Sequence, residues 1–146
     1  VITLTPTAVQ IAVRPATEAW DQVGGYLRRN VAPGDQVWVY PNDSALPLRE
    51  AGTTTALRGI PGDYPAVGIV GPVRAGSPAV VSVTAAQARA IAEDPNVRDV
   101  PTIWLVTRQS GVFDPKHELP DALADVRRPG AAVEWGYINV RPYYRR

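Results

Sequence analysis

The sequence predicts an α/β fold, a three-layer sandwich around a largely parallel sheet. Helical and extended patterns alternate along the chain. Two short segments, Gln36–Tyr40 (QVWVY) and Thr102–Thr107 (TIWLVT), are apolar or aromatic at nearly every position, as strands covered on both faces must be. A length of 146 residues suits one domain with a core of its own, and 45% hydrophobic residues are enough to fill it.

Residues 1–15 read as a lead-in segment, extended in pattern, and residues 16–146 as a single α/β domain. Thr17 is placed as a helix N-cap, with Glu18 and Asp21 in the first turn, where the helix dipole favours acids. Trp20, Val23, Leu27 and Val31 then recur at helical spacing. Gly24-Gly25 weakens this helix by about 1 kcal/mol per glycine, a pattern that marks close packing against a neighbour. Pro33-Gly34-Asp35 is a turn into the strand Gln36–Tyr40. A short helix over Ala45–Ala51 closes at Gly52.

Residues 53–78, rich in Gly and Pro, read as a long irregular excursion. Ala79–Val83 is a short strand, and Thr84 with Gln87 has the spacing of a capping box for a helix reaching about Asp94. After the strand Thr102–Thr107, Asp114-Pro115 starts a helix with Leu119, Leu123 and Val126 inside. Arg127-Arg128-Pro129-Gly130 reads as a turn, Ala132–Val140 as a terminal strand forming an antiparallel edge, and Tyr143–Arg146 as a frayed tail. The sheet so assembled is Rossmann-like.

Composition removes several function classes. Without cysteine there is no disulfide, no thiolate catalysis and no cysteine-ligated zinc. Fifteen basic residues against 14 acidic ones give a net charge of +1, which is not the field of a nucleic-acid binder. Lys116 is the only lysine; the arginine bias reads first as GC-rich coding and second as carboxylate or phosphate recognition. No run approaches the roughly 18–20 apolar residues of a membrane span. The chain has no methionine, so Val1 is not expected to be a natural start; the chain is expected to be processed or cut from something longer.

In open α/β sheets, ligands bind beyond the carboxyl ends of the strands. Two loops qualify, the one following Tyr40 and the one following Thr107. Together they offer Tyr40, Asn42, Asp43, Arg49, Arg108, Ser110 and Asp114 as ligand-binding residues for a sugar or phosphate, with Phe113 as a further stacking face. A structural reading stands beside this and takes precedence: Asp43 and Asp114 cap helices, and Arg108 pairs with one of them. His117 reads as a solvated first-turn residue. A triad of Ser110, His117 and Asp114 has no nucleophile-elbow sequence to support it. No catalytic residue, metal site or cofactor is expected in the chain, because one histidine and scattered acids make a poor metal site and no glycine loop sits between a strand and a helix. The four tryptophans lie on apolar segments and read as core.

Four stretches together resemble a known family: Ala19–Val23 running into Tyr26-Leu27, Ala32–Pro41 (APGDQVWVYP), Leu46-Pro47-Leu48, and Ile103–Thr107 (IWLVT). They are similar to the soluble C-terminal domain of multi-spanning bacterial glycosyltransferases of the GT-C type, the dolichyl-phosphate-mannose protein mannosyltransferase-like group. The resemblance spans about Ala16 to Tyr144. It implies a parent enzyme that uses a polyprenyl-phosphate-linked sugar, with its catalytic acid in a loop outside this chain. It also implies a periplasmic or extracytoplasmic location, tethered to the inner membrane. The partner would be the membrane-embedded portion of the same parent chain, and the domain would bind glycan, shape the acceptor entrance or dock a partner. Two other readings remain open from the residues alone. One is a free-standing small hydrolase or sugar-phosphate enzyme using Asp43, Arg108 and Asp114; the other is an interaction module.

Overall fold

A computed structural model describes residues 15–53, 55–62 and 82–146. All of the predicted lead-in but Pro15, most of the 53–78 excursion and residues 79–81 lie outside them. Helix α1 spans Pro15–Asn30, beginning upstream of the predicted Thr17 cap. Strand β1 is Gln36–Tyr40, helix α2 Ala45–Glu50 and strand β2 Leu57–Gly59. Helix α3 is Ala85–Ala92, strand β3 Thr102–Arg108, helix α4 Ser110–Phe113 and helix α5 Glu118–Val126. Strands β4 (Arg127–Pro129), β5 (Val133–Trp135) and β6 (Ile138–Arg145) follow.

The six-stranded sheet runs β2-β1-β3-β6-β4, with β5 also pairing β6. Strand β1 is parallel to β2 and β3, whereas β6 is antiparallel to β3, β4 and β5. The sheet is therefore mixed rather than largely parallel. The antiparallel strand is not the edge either: β6 lies between β3 and β4, and the predicted frayed tail is its second half, with Tyr143 buried. The cause is local. Gly136, at φ +61, bends Ala132–Val140 into a hairpin, which leaves Ile138–Arg145 free to pair along all of β3.

Two more segments depart from expectation. Within the irregular excursion, Leu57–Gly59 pairs with Val37–Val39 as a parallel edge strand too short for alternation to reveal. Arg127–Pro129 is a strand, not a turn, and Arg127 is buried with its guanidinium donating to the carbonyls of Val97 (2.6 Å) and Val100 (2.8 Å). Ser82 and Val83 are not in a strand.

Alternation along β1 and β3 divides the core. Val37, Val39, Trp104 and Val106 pack against Trp20, Val23 and Leu27 of α1 and Leu48 of α2. Trp38, Tyr40, Ile103 and Leu105 face Ala88 and Ala92 of α3 and Leu119 and Leu123 of α5. Helices thus cover both faces, as the doubly apolar strands require. A Cβ on Gly24 would lie 3.0 Å from that of Ala51, so α1 approaches the end of α2 closely at the glycine pair. The Pro-Gly-Asp turn also has a tertiary role: Asp35 Oδ2 accepts from Ala32 N (2.9 Å) and from Trp104 Nε1 on β3 (3.1 Å). Among the described residues no helix is long and apolar enough to cross a membrane.

Candidate functional site

The chain leaves β1 in one direction, to β2, and returns to pair β3 on the other side of β1. The carboxyl ends of β1 and β3 therefore flank a point where strand order reverses, the usual ligand position in open α/β sheets. The two loops singled out in the sequence meet there. Arg108 Nη2 donates to both carboxylate oxygens of Asp43 at 3.0 Å, and its guanidinium carbon lies 5.5 Å from the centroid of the Phe113 ring.

This place is filled rather than open. The Tyr40 ring is buried, and its hydroxyl donates to Phe113 O (2.8 Å) and accepts from Val83 N (3.0 Å). Tyr40 is thus a strut joining β1, α4 and the entry to α3, not a stacking face for ligand. Burial raises its pKa, and the Val83 amide works against that rise. Asn42 is buried and donates through Nδ2 to Gly62 O (2.8 Å). Arg49 sits exposed in the last turn of α2, with no side-chain partner among the described residues, and does not join the cluster.

The acids are committed. Asp114 is only 3% exposed, and its two oxygens accept from Glu118 N (2.9 Å) and Leu119 N (3.2 Å) at the start of α5. It caps that helix across the Pro115–His117 turn, so the helix starts later than the predicted Asp114-Pro115. Asp43 caps neither the 3-10 turn Asn42–Ser44 in which it sits nor α2, since neither has a side-chain cap; its carboxylate is taken by Arg108. No bond from Asp114 orients the His117 ring, as a triad would need. Among the described residues no group of three His, Asp or Glu side chains is placed to hold a metal ion.

An open cleft of about 430 Å³ lies one strand over, between β3 and β6. Its floor is Leu105 and Thr107 from β3 with Asn139, Arg141 and Tyr143 from β6. One wall is Gln109–Gly111 with Asp114 and His117; the other is the β5–β6 hairpin, with Glu134 and Tyr137. Of the seven residues chosen from sequence, Ser110 and Asp114 line this cleft and the others do not. Asn139 Nδ2 donates to Glu134 Oε1 at 3.3 Å. Burial pushes the Tyr143 hydroxyl above its ordinary pKa, opposed by the charge of Arg141 and a hydrogen bond from it.

Backbone strain gathers at the same cleft. Gln109 (φ 47) and His117 (φ 56) are the non-glycine residues with positive φ among those described, and both line it. Such conformations persist where surrounding structure over-determines them, and they cluster at ligand clamps. Gln109 is held by its amide donating to Tyr137 O (2.9 Å), which ties the β3–α4 loop to the hairpin across the cleft mouth.

Sequence reading placed Gln109 in the loop after β3 without choosing it as a ligand-binding residue, and missed Glu134, Tyr137, Asn139 and Arg141. The available signal was period-two alternation of Asn139, Arg141 and Tyr143, which puts the three on one face once Gly136 is read as a hairpin turn. Compared with models of protein families, with curated proteins and with solved structures, the chain finds no match.

Proposed function

We propose that this chain is the extracytoplasmic accessory domain of a membrane-embedded glycosyltransferase using a polyprenyl-phosphate-linked sugar, and that it holds glycan without transforming it. The observation that carries the non-catalytic part is the commitment of Asp43 and Asp114 to Arg108 and to the α5 amides. A hydrolase or sugar-phosphate enzyme at this sheet end would need one of these carboxylates within reach of a reacting atom.

The cleft beside β3 has what sugar binding uses. Neutral hydrogen-bonding groups from Thr107, Ser110 and Asn139 converge on it, and the half-exposed Tyr137 offers a ring at its rim. We read the helices on both faces, with β2-β1-β3 as the parallel part, as a three-layer Rossmann-like sandwich extended by an antiparallel hairpin. The segments resembling the GT-C group, α1, β1, α2 and β3, build its inner half. In this reading the partner is the membrane-embedded portion of the parent chain, on the periplasmic side of the inner membrane.

The reading frame upstream of the Val1 codon tests this. It is expected to encode several apolar spans of about 20 residues each. A frame opening within a few residues of Val1 would overturn the assignment and leave a free-standing protein.

A further inference from the structure

We infer that the cleft between β3 and β6 takes a sugar bearing a carboxylate, a hexuronate, with Arg141 as the receptor for its charge. This rests on the glycan-holding reading above and names the class of glycan. Arg141 projects from β6 into the cleft between Asn139 and Tyr143. Its Nε is buried with no hydrogen-bond partner, and its guanidinium bonds the Tyr143 hydroxyl rather than a carboxylate. Among the described residues it makes no ion pair, although Glu134 lines the same cleft. A partly buried guanidinium without a counter-ion is unfavourable until an anion arrives, and its planar fork matches a carboxylate in two-point fashion.

The balance of charge narrows the anion. One arginine faces two carboxylates in the cleft lining: Asp114, whose oxygens are taken by the α5 amides, and Glu134, which among the described residues accepts from the Asn139 amide. A dianionic phosphate would meet one cation and two repelling carboxylates. A monoanion set on a ring of neutral hydroxyls places its charge at Arg141 and its hydroxyls against Asn139 and Ser110. Tyr137, 51% exposed, is free to stack on the ring.

The test titrates the 146-residue chain with glucuronate, glucose and glucose 1-phosphate, following backbone amide shifts. Glucuronate is expected to bind at least about tenfold more tightly than glucose, and Arg141→Gln to remove that preference. Glu134→Gln, at an exposed position, should tighten glucuronate about two- to threefold by removing a like charge. It keeps the test decisive if Arg141→Gln fails to fold. Equal binding of glucose and glucuronate, or a preference for glucose 1-phosphate, overturns the hexuronate assignment and leaves the glycan reading standing. No binding of any of the three by the wild-type chain overturns both.

Discussion

Replacing Asp114 separates a structural acid from a chemical one. Asp114→Ala deletes the acceptor for two backbone amides at the start of α5, Glu118 N at 2.9 Å and Leu119 N at 3.2 Å. The Leu119 amide is buried and has no water to turn to. Loss of a helix cap costs about 0.5–2 kcal/mol, and hydrogen bonds to a charged group are worth about 1.5–3 kcal/mol each before compensation. Since the Glu118 amide can be rehydrated, the expected loss is about 2–3 kcal/mol in all. Asp114→Asn keeps one acceptor oxygen and should lose about half as much. Urea denaturation followed by far-UV circular dichroism measures both. At about 4 °C per kcal/mol for a domain of this size, the alanine variant should melt roughly 8–12 °C lower. A loss of less than about 0.5 kcal/mol for Asp114→Ala would refute the capping argument. If such a stable variant also lost glycan affinity, Asp114 would be a ligand group instead.

Three other outcomes follow from the geometry. Tyr40→Phe removes the hydroxyl bridging Phe113 O and Val83 N, so the unfolding midpoint should fall by the equivalent of about 1–2 kcal/mol; an unchanged midpoint contradicts the strut. Gly130→Ala would put a Cβ 2.8 Å from Pro142 Cγ and 2.7 Å from Tyr144 Cε2. A destabilisation of about 1–3 kcal/mol is expected by thermal melting, and a neutral result would mean that β4 and β6 are not packed this closely. Burial raises the pKa of Tyr40 and of Tyr143 above the ordinary 10.0. As pH rises past that value the unfolded chain releases these protons while the folded chain keeps them. Stability contributed by the two groups is therefore complete below pH 10.0 and is lost as pH climbs through the folded values. Urea midpoints from about pH 8 to about pH 11 should fall at the alkaline end, less steeply in Tyr143→Phe. A flat profile in the wild type would contradict the burial of both hydroxyls.

The inner half of the fold was legible because its signals are local or fully apolar. Gln36–Tyr40 and Thr102–Thr107 have no polar face to hide, and Trp20, Val23 and Leu27 repeat at helical spacing. The Thr84–Gln87 capping box is present with both of its bonds. The outer half was not legible for the complementary reason. Strands β2, β4 and β5 have three residues each, too few for a period, and only pairing with β1 or β6 makes them strands. Pro142 lies within β6, and proline argues against an internal strand. Pairing with β3 prevails nonetheless along Ile138–Tyr144. The candidate site divided in the same way. Asp43, Arg108 and Asp114 were correctly placed near the carboxyl ends of β1 and β3, because loop position follows from strand order. That Tyr40 would fill this end, and that an open cleft would lie beside β6, depended on side-chain packing and on a hairpin marked by the single glycine Gly136.

An amide-resolved map of where the chain binds a uronic-acid oligosaccharide tests the glycan-holding cleft beside β6 most directly. Saturable shifts are expected, concentrated on Ser110, Asn139 and Arg141, with little change at Asn42 and Asp43 and the oligosaccharide recovered intact. Shifts centred on the loop after β1, or cleavage of the sugar during the titration, would contradict that assignment.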